Sequence, residues 1–208
     1  IRDSKKGSAD HSTHVSYSNN TTFSNPFVTH QFQNTYGRQS GDFKSWGEKL
    51  GKPSSYAPND FFQTGYNTQN TVSVASSSER SQSFVSAGSV NSRGIIPNNG
   101  YDRYNFTFRN TSSFLKDKMQ LDLGASYIIQ KDRNMVNQGV YSNPLVSAYL
   151  FPRGDDWADV EMYERYNSSR GIYEQYWPTM GADTYQMQNP YWISYRNLRE
   201  TRKDRYMI

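Results

Sequence analysis

The 208-residue chain contains no cysteine. That excludes a disulfide framework and thiolate metal sites, and it fits a bacterial envelope protein. No apolar run approaches the length of a membrane-spanning helix. Leu, Ile and Val are scarce, so an ordinary aliphatic core is hard to assemble. There is no G-x-S-x-G, no Walker loop and no dinucleotide fingerprint. Dense basic blocks are missing apart from RNLRETRKDR at 196–205, which mixes in acids. That run reads as a solvated strand end or turn, not as a nucleic-acid surface. The chain starts at Ile1 with no charged-then-apolar leader, so any signal peptide is expected outside it.

What the chain does have is aromatic residues, 15% of the total with 17 Tyr and 11 Phe, at a net charge of +4. Disordered chains are poor in aromatics. Tyr and Phe mixed with Ser, Asn, Thr and Gly suit β-structure with wet surfaces and aromatic girdles.

The clearest periodicity is RYNFTFRNT at 103–111. Tyr104, Phe106 and Phe108 share one face, and Arg103, Asn105, Thr107 and Arg109 the other. KMQLDLGASYIIQ at 118–130 alternates likewise, with Ile128 interrupting its polar face, and FLKD at 114–117 makes the two a hairpin. HVSYSNNTTFS at 14–24 alternates through Val15, Tyr17, Thr21 and Phe23. NTVSVAS at 70–76 and SFVSAGSVN at 83–91 read as a second hairpin through SSERSQ at 77–82.

Short connections alternate with long ones, at about 25–69 and 132–189, with 92–102 intermediate. In a meander this gathers the long loops at one end, as in an outer-membrane β-barrel. A soluble β-sandwich with a solvated outer face accounts for the alternation nearly as well, and the residues alone leave both open.

Several stretches resemble the SusC-like (SusC/RagA) TonB-dependent outer-membrane transporters of the Bacteroidetes. They are FQNTYG at 32–37, SWG at 45–47, YAPNDFFQTGYNTQNTVSV at 56–74, SRGIIPNNGYDRYNFTFR at 92–109, NPLVSAYLFPRGDD at 143–156 and NPYWI at 189–193. The resemblance implies an all-β fold, a partial antiparallel transmembrane β-barrel of about six strands with long extracellular loops, out of about 22 in the whole family barrel. Residues 1–10 would be the end of the plug domain and its linker, and 11–208 the N-terminal part of the barrel. It also implies a role in importing oligosaccharides or peptides across the Gram-negative outer membrane, in contact with its lipids. A SusD-like surface lipoprotein would be the partner, and the TonB complex would act through the plug. No enzymatic activity, cofactor, metal or nucleic acid is implied.

Within that frame Arg103, Asn105, Thr107 and Arg109 are the lumen-facing candidates. The tripeptide Arg153-Gly154-Asp155 in YLFPRGDDW at 149–157 matches the sequence that adhesion proteins present to integrins. The alternative is loop architecture: Pro152 stiffens the entry, Gly154 permits a tight backbone, and Arg153 pairs with Asp155 or Asp156. Loop candidates for substrate or partner contact are Arg153, Asp155, Asp156, Trp157, Tyr173 and Trp177, because aromatic rings stack on sugar faces and the polar groups reach hydroxyls. Trp157, Tyr163, Tyr166, Tyr173, Tyr176, Trp177, Tyr185, Tyr191 and Trp192 crowd this region, and self-packing or an interfacial belt is the plainer role for any one ring. The acids of DDWADVEMYE read as solvated loop carboxylates, and His11, His14 and His30 form no metal triad. A soluble, secreted β-rich glycan-binding module is the competing reading of the whole chain.

Overall fold

The computed structural model describes residues 11–40, 44–54, 58–177 and 188–208. The plug end and linker expected at 1–10, and Tyr185, lie outside them. In chain order the strands are β1 (Ser12–Ser24), β2 (Tyr36–Arg38), β3 (Ser45–Lys49), β4 (Gly65–Ser77), β5 (Ser81–Arg93), β6 (Gly100–Phe114), β7 (Met119–Arg133), β8 (Glu164–Asn167), β9 (Ile172–Gln175) and β10 (Glu200–Met207). Three short helices, α1 (Pro144–Tyr149), α2 (Ala158–Glu161) and α3 (Pro190–Tyr195), and a 3-10 turn at Pro58–Phe61 lie in the connections.

Six strands form one antiparallel sheet in the order β1-β4-β5-β6-β7-β10, and β2–β3 and β8–β9 are separate hairpins. The all-β expectation holds, as do both hairpins read from the period-two pattern. The tight ends are residues 78–80 and 115–118. In the first, Ser78 and Ser81 exchange hydrogen bonds, including Ser78 N–H to the Ser81 carbonyl at 2.8 Å. In the second, Leu115, Lys116 and Asp117 all take positive φ (52°, 57° and 66°) without a glycine among them.

The register sorts side chains into two faces. Across one face run Val15–Val74–Val85–Phe108–Ala125 and Tyr17–Val72–Ala87–Phe106–Tyr127–Tyr206. Across the other run Ser16–Ser73–Ser86–Thr107–Ser126 and Asn20–Gln69–Val90–Arg103–Gln130–Lys203. Phe84, Val90 and Ile128 interrupt the polar face. Hydroxyl and amide ladders tie neighbouring strands, such as Ser16–Ser73 at 2.7 Å and Tyr17 O–H to Asn70 at 2.9 Å.

Among the described residues, neither face is covered. Phe106, Phe108, Leu121 and Leu123 remain 44–49% exposed. The buried apolar side chains Phe61, Ile96, Ala148, Phe151, Trp157 and Val160 all belong to the connections. The core therefore sits in a cap at the long-loop end of the sheet. A soluble sandwich needs a second sheet on the apolar face, and among the described residues the only other sheets are the two small hairpins.

The long connections depart from the irregular loops expected of them. Asn143 and Asn189 each cap a helix that opens with proline, their side chains accepting from Leu145 N–H and from Tyr191 and Trp192 N–H respectively. Proline at the first helical position loses no needed donor and presets φ. The basic run at 196–205 supplies β10, an eight-residue strand paired with β7.

Candidate functional site

The cap is built around the stretch that follows α1. Phe151 and Pro152 are buried, and Arg153 is 3% exposed. Its guanidinium carbon lies 4.6 Å from the centre of the Phe32 ring, which stacks on Tyr149. Gly154 has φ +94°, and a Cβ there would lie 2.8 Å from Leu50 Cδ2. Gly37 of β2 meets the same Leu50 methyl, 3.1 Å from an added Cβ, and its Cα would lie 3.7 Å from a Cβ on Gly154. Asp155 accepts from Arg38 Nε at 3.2 Å, and Asp156 Oδ1 accepts from Ala158 N–H at 3.0 Å at the start of α2. The tripeptide thus pins the cap to the β2–β3 hairpin. An integrin ligand must project its arginine, and this one is inside.

The aromatic candidates separate into two groups. Trp157, 8% exposed, packs edge-on against Phe151 at 5.1 Å and Phe61 at 6.5 Å, with Tyr191 at 5.9 Å. Trp177 is half-buried against Phe151 at 6.2 Å. These rings are core. Tyr173 and Tyr166 stand on the β8–β9 hairpin, 57% and 59% exposed, in a T-shaped pair at 5.3 Å. Of the two groups, this pair has ring faces open to a ligand.

Two amide hubs hold the cap together, and neither was among the sequence candidates. Asn189 is fully buried. Besides capping α3, it donates to the Val160 carbonyl at 2.8 Å and the Tyr176 carbonyl at 3.0 Å. Asn134, at φ 49°, donates to the Ser194 carbonyl at 2.8 Å and accepts from Arg199 N–H at 2.9 Å, while Asn99 donates to its carbonyl at 2.9 Å. These amides replace the ladder hydrogen bonds that the chain loses where it leaves the sheet. The Asn-Pro pair before an apolar run was the available signal for Asn189; the Asn134 contacts are all distant in sequence and had none.

Charge locks the hairpin to α3. Arg196 grips Glu164 through two bonds of 2.6 and 2.7 Å, which holds the Glu164 carboxyl below the usual range. Burial pushes the Tyr191 phenol up.

On the sheet, Arg103, Asn105, Thr107 and Arg109 fall on the polar face together. Arg109 pairs with Asp122 at 3.0 Å, and Thr111 donates to the same carboxylate at 3.2 Å. Asn105 lies across Gly88, where a Cβ would come within 3.1 Å of its amide. The structure therefore forms a hydrogen-bonding strip along β6, at a distance from the cap candidates. No family model matches the chain, and no curated protein is similar to it.

Proposed function

We propose that the chain forms part of the wall and external cap of an outer-membrane β-barrel importer of the SusC-like, TonB-dependent kind. One observation carries the reading: among the described residues a six-stranded sheet keeps an apolar face and a polar face both uncovered, while the packed core is displaced into the long loops at one end. In water such an apolar face is a liability. Against lipid it is the exterior, and the polar face becomes the lumen. The resemblance of the segments at 56–74, 92–109 and 143–156 supports the family.

On this reading Arg103, Asn105, Thr107 and Arg109 offer donors and acceptors to hydrated cargo, an oligosaccharide or peptide. The rigid cap forms part of the external mouth, where Tyr173 and Tyr166 meet cargo or a SusD-like lipoprotein. The chain performs no chemistry on the cargo. Energy reaches the barrel from TonB through a plug.

The test is fractionation of cells expressing the protein from its complete natural reading frame. It should sediment with the outer membrane, resist alkaline extraction, and support uptake of an oligosaccharide or peptide that a deletion strain cannot use. Recovery as a soluble periplasmic or secreted protein would overturn the proposal.

A further inference from the structure

Toward the loop end of the apolar face the chemistry changes abruptly. The row Tyr17–Val72–Ala87–Phe106–Tyr127–Tyr206 is followed, two rows on, by Thr21–Thr68–Asn91–Asp102–Lys131–Arg202, and then by Phe23–Tyr66–Arg93–Gly100–Arg133–Glu200. Because side chains alternate, all of these residues share the face that carries the apolar band. Tyrosines at the edge of an apolar band mark an interface, and cations just beyond it reach headgroups. Gly100 supplies no side chain, and a crevice of ≈ 390 Å³ opens there, lined by Arg93, Lys131, Arg133 and Arg202 and by the acids Asp102, Asp132 and Glu200.

The acids in this patch orient the cations without exhausting their donors. Arg93 is held by Asp102 at 3.1 Å. Arg133 bonds Glu200 through Nε alone at 2.8 Å, which leaves both terminal nitrogens without a partner among the described residues. Arg202 uses Nε and one terminal nitrogen on Asp204. Lys131 makes no ion pair among the described residues. The four cations lining the crevice outnumber its three carboxylates, Asp102, Asp132 and Glu200, at the depth where a lipid headgroup would lie. Planar guanidinium groups and an ammonium together suit a phosphate monoester.

We propose that this crevice binds the phosphorylated sugar headgroup of an outer-leaflet glycolipid, seating the barrel in its membrane at β6, β7 and β10. The proposal rests on the barrel reading above, which makes this face the exterior and the loop end the outer leaflet.

The experiment uses the protein expressed from its complete natural reading frame, extracted in detergent and titrated by native mass spectrometry with bis-phosphorylated or dephosphorylated lipid A. The wild type should prefer the phosphorylated form by about 10-fold or more. The double variant Lys131→Gln/Arg202→Gln should lose most of that preference. Lys203→Gln/Arg205→Gln, with the same charge loss on the opposite face of β10, should keep it. Equal binding of both lipids, equal losses in the two variants, or full competition by inorganic phosphate would each overturn the site while leaving the barrel standing. Failure of the wild type to reach the outer membrane would overturn both.

Discussion

At the scale of single residues the cap depends on a few positions that tolerate little change. Gly154 combines positive φ with a 2.8 Å approach to Leu50, so Gly154→Ala adds backbone strain and a clash. The expected cost is about 1–3 kcal/mol, read as faster amide exchange in residues 144–161 with exchange in β5 and β6 unchanged. Asn189→Ala removes a helix cap and two buried donors together. It should cost about 2–3 kcal/mol, measured by the same exchange. Arg153 belongs with these residues. Its burial and the Arg38–Asp155 pair make it a structural residue, so Asp155→Glu should leave any cell attachment at background, as in the wild type.

At the scale of elements, the strands could be read from sequence where one face is apolar. Tyr104, Phe106 and Phe108 against Arg103, Asn105, Thr107 and Arg109 place β6 without ambiguity, and Leu121 and Leu123 do the same for β7. β10 was obscured because ETRKDRYM carries charge on both faces, and its pairing with β7 is decided by the sheet edge rather than by its own pattern. The cap was illegible for a different reason. Phe61, Phe151, Trp157 and Tyr191 come from three separate stretches with no common period, so their convergence is a tertiary fact. Asn143-Pro144 and Asn189-Pro190 were the legible part, since Asn followed by Pro signals a helix start. The same lack of period explains why Trp157 looked like a sugar platform and Tyr173 looked no different from it.

The β8–β9 hairpin is fastened to α3 by Glu164 and Arg196, and its response to pH follows from the sign of the shift. The Glu164 carboxyl lies below its ordinary value in the folded cap. The lock therefore contributes fully above the unfolded carboxylate range, about 4.3, and is lost as pH falls through the depressed folded value. Tyrosine fluorescence or exchange in residues 163–175 should report loosening on acidification below that range. Glu164→Gln should show the loosened state at neutral pH and no further acid step from this group. An unchanged acid transition in the variant would remove the lock from the account.

At the scale of the whole molecule, the two faces of the sheet must meet two different media. A cation on the lipid face of a barrel is penalised by about 2–4 kcal/mol near mid-bilayer and one on the lumen face is not. Phe108→Lys should therefore reduce the amount of protein assembled in the outer membrane, while Thr107→Lys, one residue away on the same strand, should leave it near wild type. A solvated sheet would tolerate both changes.

The most direct measurement uses the absence of cysteine from these 208 residues, with any cysteine elsewhere in the complete natural reading frame replaced by serine. Single cysteines placed in turn at Asn105, Phe106, Thr107 and Phe108, and at Leu121, Asp122 and Leu123, carry a spin label in the bilayer-reconstituted protein. Collision with lipid-dissolved oxygen and with an aqueous nickel chelate is then compared. Positions 106, 108, 121 and 123 should favour oxygen, and positions 105, 107 and 122 the chelate, alternating residue by residue. Equal access of the aqueous chelate to all seven would contradict the membrane barrel and return the sheet to water.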